Sequence, residues 1–325
     1  MLQEIRKNEK EILREEWHKT SDGGEVLLLK YPLLEKTGLV KHCFTTRFGG
    51  VSQGIFSSMN FSFTRGDARE NVITNYHRLA EALGVEYENF VLSDQTHTTN
   101  VRKVTKVDAG KGLVQNRDYT DVDGLITNEP GLVLATFFAD CVPLYFVDPV
   151  QRAIGMSHSG WRGTVERMGA ATIAAMQREY GTRPEDLICA IGPSICQDCY
   201  EVSEDVAEQF RKAFKERAKE LLRHGRCVRK EVDEADISTA SDEAGKLYGM
   251  EKCVESAGTG KIVSVEQKYQ LDLWKANEIV LTEAGVKREN IAVTNICTCC
   301  NPNLLFSHRA SQGRRGNLGG FLCLV

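Results

Sequence analysis

No uninterrupted apolar run in this 325-residue chain is long enough to cross a bilayer. The most hydrophobic stretch, Gly131 to Val147, is broken by Asp140 and Pro143, so it reads as buried strands. A basic excess is missing too. Forty-one Lys and Arg against 45 Asp and Glu leave a net charge of -4, which offers no basic face to nucleic acid. The first thirty residues are charge-rich and lack the apolar centre of an export signal. Eleven cysteines, an odd number, argue for reduced thiols or metal ligands over a disulfide framework, and a cytoplasmic protein is the expectation. No linker rich in Pro, Gly or Ser divides the chain, and no period of about 20–50 residues repeats. The economical assignment is one mixed α/β domain over 1–325, with 1–30 as an N-terminal extension and 226–268 as a variable insertion. A chain of this length can bury a core without covalent staples.

What is present is an alternation of strand and helix signals. Residues 67–84 read as a helix: Asp67 caps it, Glu70 completes a capping-box pattern, Val72, Tyr76, Leu79 and Leu83 share a face, and Gly84 stops it. Strands are expected at about 89–94, 132–138, 142–147, 153–158, 187–192 and 291–296. Further helices are expected from Gly163 to about Tyr180, from Ser203 to Arg223, and from Leu271 to Gly285. After Cys297-Thr298-Cys299-Cys300 the chain is expected to end in loops.

Cys141 and His158 fall near the ends of two predicted strands joined by a tight turn, which brings a sulfur and an imidazole to one end of a sheet. His97 follows another strand, where loop residues of α/β proteins converge. Two imidazoles and a thiolate suit zinc, and three protein ligands leave a position for water or substrate. Separations of 44 and 17 residues are not diagnostic by themselves, and packed side chains are the plainer account of them. Cys196-Gln197-Asp198-Cys199 is a C-x-x-C that, with Cys297, Cys299 and Cys300, offers ligands for a second, structural zinc; the Cys297–Cys300 run is read here as a thiol cluster without paired spacing, and reduced thiols are the simpler account.

Several longer motifs point in one direction: Thr46-Arg47-Phe48-Gly49-Gly50-Val51-Ser52, Asp123-Gly124-Leu125-Ile126-Thr127, Ala139-Asp140-Cys141-Val142-Pro143-Leu144, His158-Ser159-Gly160-Trp161-Arg162-Gly163, Ile191-Gly192-Pro193-Ser194-Ile195, Cys199-Tyr200-Glu201-Val202 and Ser307-His308-Arg309. In this order, over roughly nine-tenths of the chain, they resemble the multicopper-polyphenol-oxidase-like, or laccase-domain, family, whose members are viewed as purine nucleoside phosphorylases. The resemblance implies layered mixed β-sheets flanked by helices and one zinc ion on His97, Cys141 and His158. It also implies phosphorolysis of adenosine, inosine and methylthioadenosine, with adenosine deamination at the same site. The partners are then purine nucleosides and phosphate, with no nucleic acid and no membrane, in a monomer or small homo-oligomer.

Within that frame Arg47, Arg162, Arg309 and Arg314 are candidates to grip phosphate, Arg47 and Arg162 foremost. Trp161 can stack on a purine or serve as a structural tryptophan. Asp140 is a candidate proton carrier, although strand alternation turns it away from Cys141, and supporting a metal ligand from behind is the competing role. Gly160 and Gly163 permit close approach of a ligand, or simply form the turn into the next helix. Ser159 departs from the alanine or valine usual at its position. Two other readings stay open: a Cys141–His158 hydrolase or amidase, which does not need His97, and a zinc-binding module without turnover. Copper oxidation is discounted, because seven histidines cannot supply the roughly ten that four coppers need.

Overall fold

In β2 (Glu25–Lys30), Val26, Leu27, Leu28 and Leu29 are all fully buried, a pattern that only a strand covered on both faces produces. Leu27 and Leu29 join one apolar cluster, and Val26 and Leu28 join another. The computed structural model describes residues 2–232 and 262–325, with side chains outside 229–265, so most of the 226–268 stretch lies outside the described residues. Two compact units emerge, Met1–Cys196 with Leu273–Val325, and Gln197–Asp272.

The first unit holds two six-stranded mixed sheets. One runs β1 (Arg14–Lys19), β2, β3 (Val40–Thr45), β15 (Leu318–Leu324), β7 (Val133–Phe138) and β4 (Phe90–Leu92). The other runs β14 (Ile291–Val293), β10 (Ile188–Ile191), β8 (Val142–Asp148), β9 (Ala153–Ser159), β6 (Gly124–Thr127) and β5 (Val101–Lys103). Side chains from both, among them Phe44, Leu134 and Leu322 against Leu125, Tyr145 and Met156, form the main core. On the far face of the first sheet, α3 (Arg69–Leu83) buries Val72, Tyr76, Leu79 and Leu83 against Cys43, Phe90 and Phe321. On the second sheet, α5 (Met168–Tyr180) sets Thr172 Oγ1 2.7 Å from Ser157 Oγ of β9. Layered mixed sheets flanked by helices are therefore what the chain builds. The remaining helices of this unit are the short α1 (Leu2–Ile5), α2 (Pro32–Glu35) and α4 (Trp161–Val165), and α7 (Leu273–Glu283).

Among the described residues the second unit holds a three-stranded antiparallel sheet, in the order β11 (Glu201–Val202), β13 (Ile262–Leu271) and β12 (Leu222–Val232), with α6 (Glu204–Phe214). Phe210 and Phe214 stack in parallel, with centroids 5.6 Å apart.

Several expectations are corrected. The chain does not end in loops: β15 lies between β3 and β7 inside the first sheet. Its Gly319-Gly320 pair looks like a breaker, yet a Cβ on Gly320 would meet the Met156 methyl and, at 2.9 Å, the Tyr145 hydroxyl, so glycine here marks close packing of the two sheets. Asp67 does not cap α3. Ala68 holds that position, and Asp67 instead accepts hydrogen bonds from Ala68 N (2.9 Å) and Asn60 Nδ2 (2.8 Å). The helix expected from Gly163 is two helices, divided where Arg167 adopts φ 63°. The helix expected to reach Arg223 stops at Phe214; a 3-10 segment, Lys215–Glu220, follows, and Arg223 and His224 belong to β12. The left-handed glycine stops at Gly84 and Gly181 are as expected.

Candidate metal centre and its cleft

The site begins with one buried carboxylate. Asp123, fully buried just before β6, accepts hydrogen bonds from the backbone N–H groups of Thr96 (3.0 Å), His97 (3.2 Å) and Thr98 (2.9 Å). Three successive amides can converge on one acceptor only if the chain curls sharply, and His97 does so at φ 69°. The same carboxylate lies 2.7 Å from Nδ1 of His158. Burial opposes its ionisation, but His158 and the Thr98 and Thr96 amides outweigh burial and lower its pKa. A carboxylate on Nδ1 leaves Nε2 of His158 as the ligand atom, the usual carboxylate–histidine arrangement behind a bound metal.

Antiparallel pairing of β8 with β9 sets Pro143 opposite His158, so Cys141, two residues earlier, comes to the same sheet end. Cys141 Sγ is 3.9 Å from His97 Nε2, and the two imidazoles meet edge to face with centroids 4.9 Å apart. One ligand atom from each of His97, Cys141 and His158 lies within 4.8 Å of the other two. Burial raises a thiol pKa, yet the charge and hydrogen bonds of His158 and His97 prevail and bring Cys141 down to about 6. Burial likewise disfavours an imidazolium, but the Cys141 thiolate and Asp123 prevail and lift His158 to about 9. The sulfur is thus held in its ligating form, and a metal has only the imidazole proton to displace.

Gly160, whose role the sequence leaves between ligand approach and turn formation, answers to a third need. A Cβ there would sit 2.8 Å from His97 Cδ2 and 3.2 Å from Cys141 Sγ. The helix it precedes, α4, is little more than one turn.

His97, Cys141 and His158 open into a cleft of about 330 Å³ whose walls include Phe63, Phe137 and four arginines, Arg65, Arg69, Arg117 and Arg315. Arg117 is paired with Asp94 at 2.6 Å, and Arg69 lies over the Phe63 ring. Arg315 is 8% exposed; burial first, then repulsion from Arg65, lowers its pKa to about 10. Its Nε is buried with no hydrogen-bond partner among the described residues.

The arginines expected to grip phosphate lie elsewhere. Arg47 donates to the carbonyls of Ser57 (2.8 Å) and Pro302 (2.7 Å) and borders a separate small cavity. Arg162 is exposed and stacks over half-buried Trp161. Arg309 and Arg314 are exposed, and Arg309 contributes its backbone N–H to Asp140 (2.7 Å). Asp140 adopts φ 86°, and its other carboxylate oxygen accepts from Thr298 Oγ1 (2.6 Å), so it ties loops together beside Cys141. Reading the sequence also misses Asp123, whose only signal is its place in the Asp-Gly motif, and the Arg315 cluster, which has no spacing of its own. Cys196, Cys297 and Cys300 form a second cluster in the same unit.

His97, Cys141 and His158, at the strand ends of a two-sheet α/β core and open to a cleft lined by arginines, are a group that could hold a metal ion and leave a ligand position open. The chain belongs to the multi-copper polyphenol oxidoreductase laccase family, whose model matches residues 41–257 and 248–325. It is similar to purine nucleoside phosphorylase YlmD of Bacillus subtilis (strain 168), 34% identical over 86% of each chain. It is also similar to adenosine deaminase RL5 from an unknown prokaryotic organism, 30% identical over 85% of this chain and 93% of that one. Among solved structures, the Bacillus licheniformis hypothetical protein YfiH matches with a TM-score of 0.74 at 29% identity, over 92% of this chain and 96% of that one. Among the described residues no helix is long and apolar enough to cross a membrane.

Proposed function

We propose that this protein is a zinc-dependent purine nucleoside phosphorylase that also deaminates adenosine. The observation that carries this reading is the sharing of one cleft by the His97/Cys141/His158 cluster and a buried guanidinium with an unpartnered N–H. The donor set fits zinc: two imidazoles, one sulfur already favoured as thiolate, and a carboxylate behind one histidine. Bound there, zinc supplies a Lewis acid to the nucleoside.

The chain's own residues do the rest. Arg315, helped by Arg65, holds phosphate with one oxygen toward the ribose, as a guanidinium deprived of carboxylate partners is suited to do. Phe63 and Phe137 offer apolar walls to the base. In phosphorolysis the bond from C1′ to the base breaks as a phosphate oxygen bonds to C1′, and the departing base takes up a proton. Asp123 keeps the His158 proton on Nδ1, facing away from the cleft, so His158 is not the donor. Cleavage of adenosine, inosine and methylthioadenosine is expected, and the proposed cellular setting is the cytoplasm.

The test is incubation of metal-assayed protein with adenosine, with and without phosphate, followed by separation of adenine, inosine and ribose 1-phosphate. Phosphate-dependent adenine and ribose 1-phosphate support phosphorolysis, and phosphate-independent inosine supports deamination. Zinc-loaded protein that gives no purine product would overturn the proposal. The Cys141–His158 ion pair also suits a cysteine hydrolase, so His97→Ala discriminates: a zinc centre loses metal and turnover, whereas a Cys–His dyad retains turnover.

A further inference from the structure

Two neighbouring parallel strands deliver cysteines to one place. β10 and β14 pair from Cys189 opposite Ile291 to Ile191 opposite Val293, and the pairing resumes beyond the strands where Ser194 bridges Cys297. The loops therefore leave the sheet together, carrying Cys196 on one and Cys297 and Cys300 on the other. Two residues separate Cys297 from Cys300, so Cys297-Thr298-Cys299-Cys300 is a C-x-x-C after all, the counterpart of Cys196-Gln197-Asp198-Cys199. The intervening Cys299 masks that spacing.

The sulfurs of Cys196, Cys297 and Cys300 lie within 4.8 Å of one another, and those of Cys196 and Cys300 are 3.9 Å apart. A tetrahedron with zinc–sulfur bonds of about 2.3 Å has edges of roughly 3.8 Å. A disulfide needs sulfurs about 2.0 Å apart. A [4Fe–4S] cluster sets its cysteine sulfurs farther apart, since each ligates a different iron. Both the Cys196 N–H (3.2 Å) and the Cys300 N–H (3.4 Å) point at Cys297 Sγ. Two N–H groups converging on one sulfur fix its position between the two loops. Cys196 and Cys297 are buried, whereas Cys300 is exposed and gives an ion a way in.

We propose that Cys196, Cys297 and Cys300 hold a structural zinc ion separate from the His97/Cys141/His158 centre. Its place in the fold gives it a task. Ile195 N–H donates to the Asp140 carbonyl (3.0 Å), and Thr298 Oγ1 donates to the Asp140 carboxylate (2.6 Å). Each donor is adjacent in sequence to a proposed ligand, and Asp140 immediately precedes Cys141. The ion clamps the two loops that hold Asp140, and so braces the backbone that presents Cys141.

Metal analysis by mass spectrometry of wild-type, Cys297→Ser and His97→Ala proteins, purified without chelator, tests this. About two zinc per chain are expected in wild type and about one in each variant. Each single site is then replaced by cobalt. His97→Ala should give the strong near-ultraviolet sulfur-to-cobalt absorption of several thiolates, and Cys297→Ser the weaker absorption of one. Should Cys297→Ser fail to fold, Cys300→Ser, at the exposed ligand, replaces it, and the cobalt spectrum of His97→Ala decides without any cysteine variant. Equal zinc in wild type and the cysteine variants, a thiolate-poor spectrum in His97→Ala, iron in place of zinc, or a Cys196–Cys300 disulfide would each overturn the proposal. Loss of the His97 centre alone leaves it standing, so the two sites fail independently.

Discussion

Arg315 is costly to bury: its guanidinium is almost entirely out of water, its Nε lacks a partner among the described residues, and Arg65 repels it. Such a group is retained where a bound anion repays the cost. Arg315→Met is expected to raise the KM for phosphate by about tenfold or more, the worth of one charge-assisted hydrogen bond, while zinc content stays unchanged. Steady-state kinetics at varied phosphate, beside metal analysis, check this; an unaltered phosphate KM would remove Arg315 from the anion site. At this scale the sequence was legible for His97, Cys141 and His158, because each sits in a distinctive motif. It was not legible for Arg315, because nothing local distinguishes a buried arginine from an exposed one such as Arg314. Asp123 was visible as a motif letter but not as the acceptor that orients two of the three ligands.

Elements place these residues through turns more than through their interiors. Gly160 follows β9, with φ -72° at the entrance to α4, so alanine suits its backbone and the atoms nearest the added Cβ belong to His97 and Cys141. Gly160→Ala is therefore expected to leave the melting temperature nearly unchanged while weakening metal affinity about tenfold, comparable to loss of a supporting group behind a ligand. Thermal melts with competitive chelator titration separate the two effects; wild-type metal affinity would show that the ring and sulfur move aside freely. Strands buried on both faces, such as β8, announced themselves as apolar runs. β15 did not, since two glycines interrupt it and its partners β3 and β7 are distant in sequence. α6 ended early because Phe214 completes its buried face and Lys215 turns to φ 49°.

The first unit's core carries a pH dependence of its own. His42 is buried, and its Nε2 accepts the Tyr31 N–H (2.8 Å), so it is held neutral. Burial, reinforced by the charges of Lys30 and Arg14, lowers its pKa to about 3. An unfolded histidine titrates near 6.5, so as the medium acidifies the unfolded chain takes up this proton first. The resulting stability is whole above about pH 6.5 and is lost as the pH falls toward 3, with a slope of about 1.4 kcal/mol per pH unit. Urea unfolding of wild type and His42→Gln at pH 7, 5.5 and 4.5 should show the stability gap narrowing as the pH falls; a constant gap would mean that His42 is protonated alike in both states.

The sequence by itself determined the motifs that carry His97, Cys141 and His158, the amphipathic face of α3, and the glycine stops at Gly84 and Gly181. These are local properties, set by residue type and by short periods along the chain. Only the tertiary structure decided which arginines share a cleft with the metal ligands, that the last strand enters the middle of a sheet, and that Cys196 meets Cys297 and Cys300. Each of those depends on β-pairing between residues a hundred or more apart, where register rather than spacing determines which side chains meet.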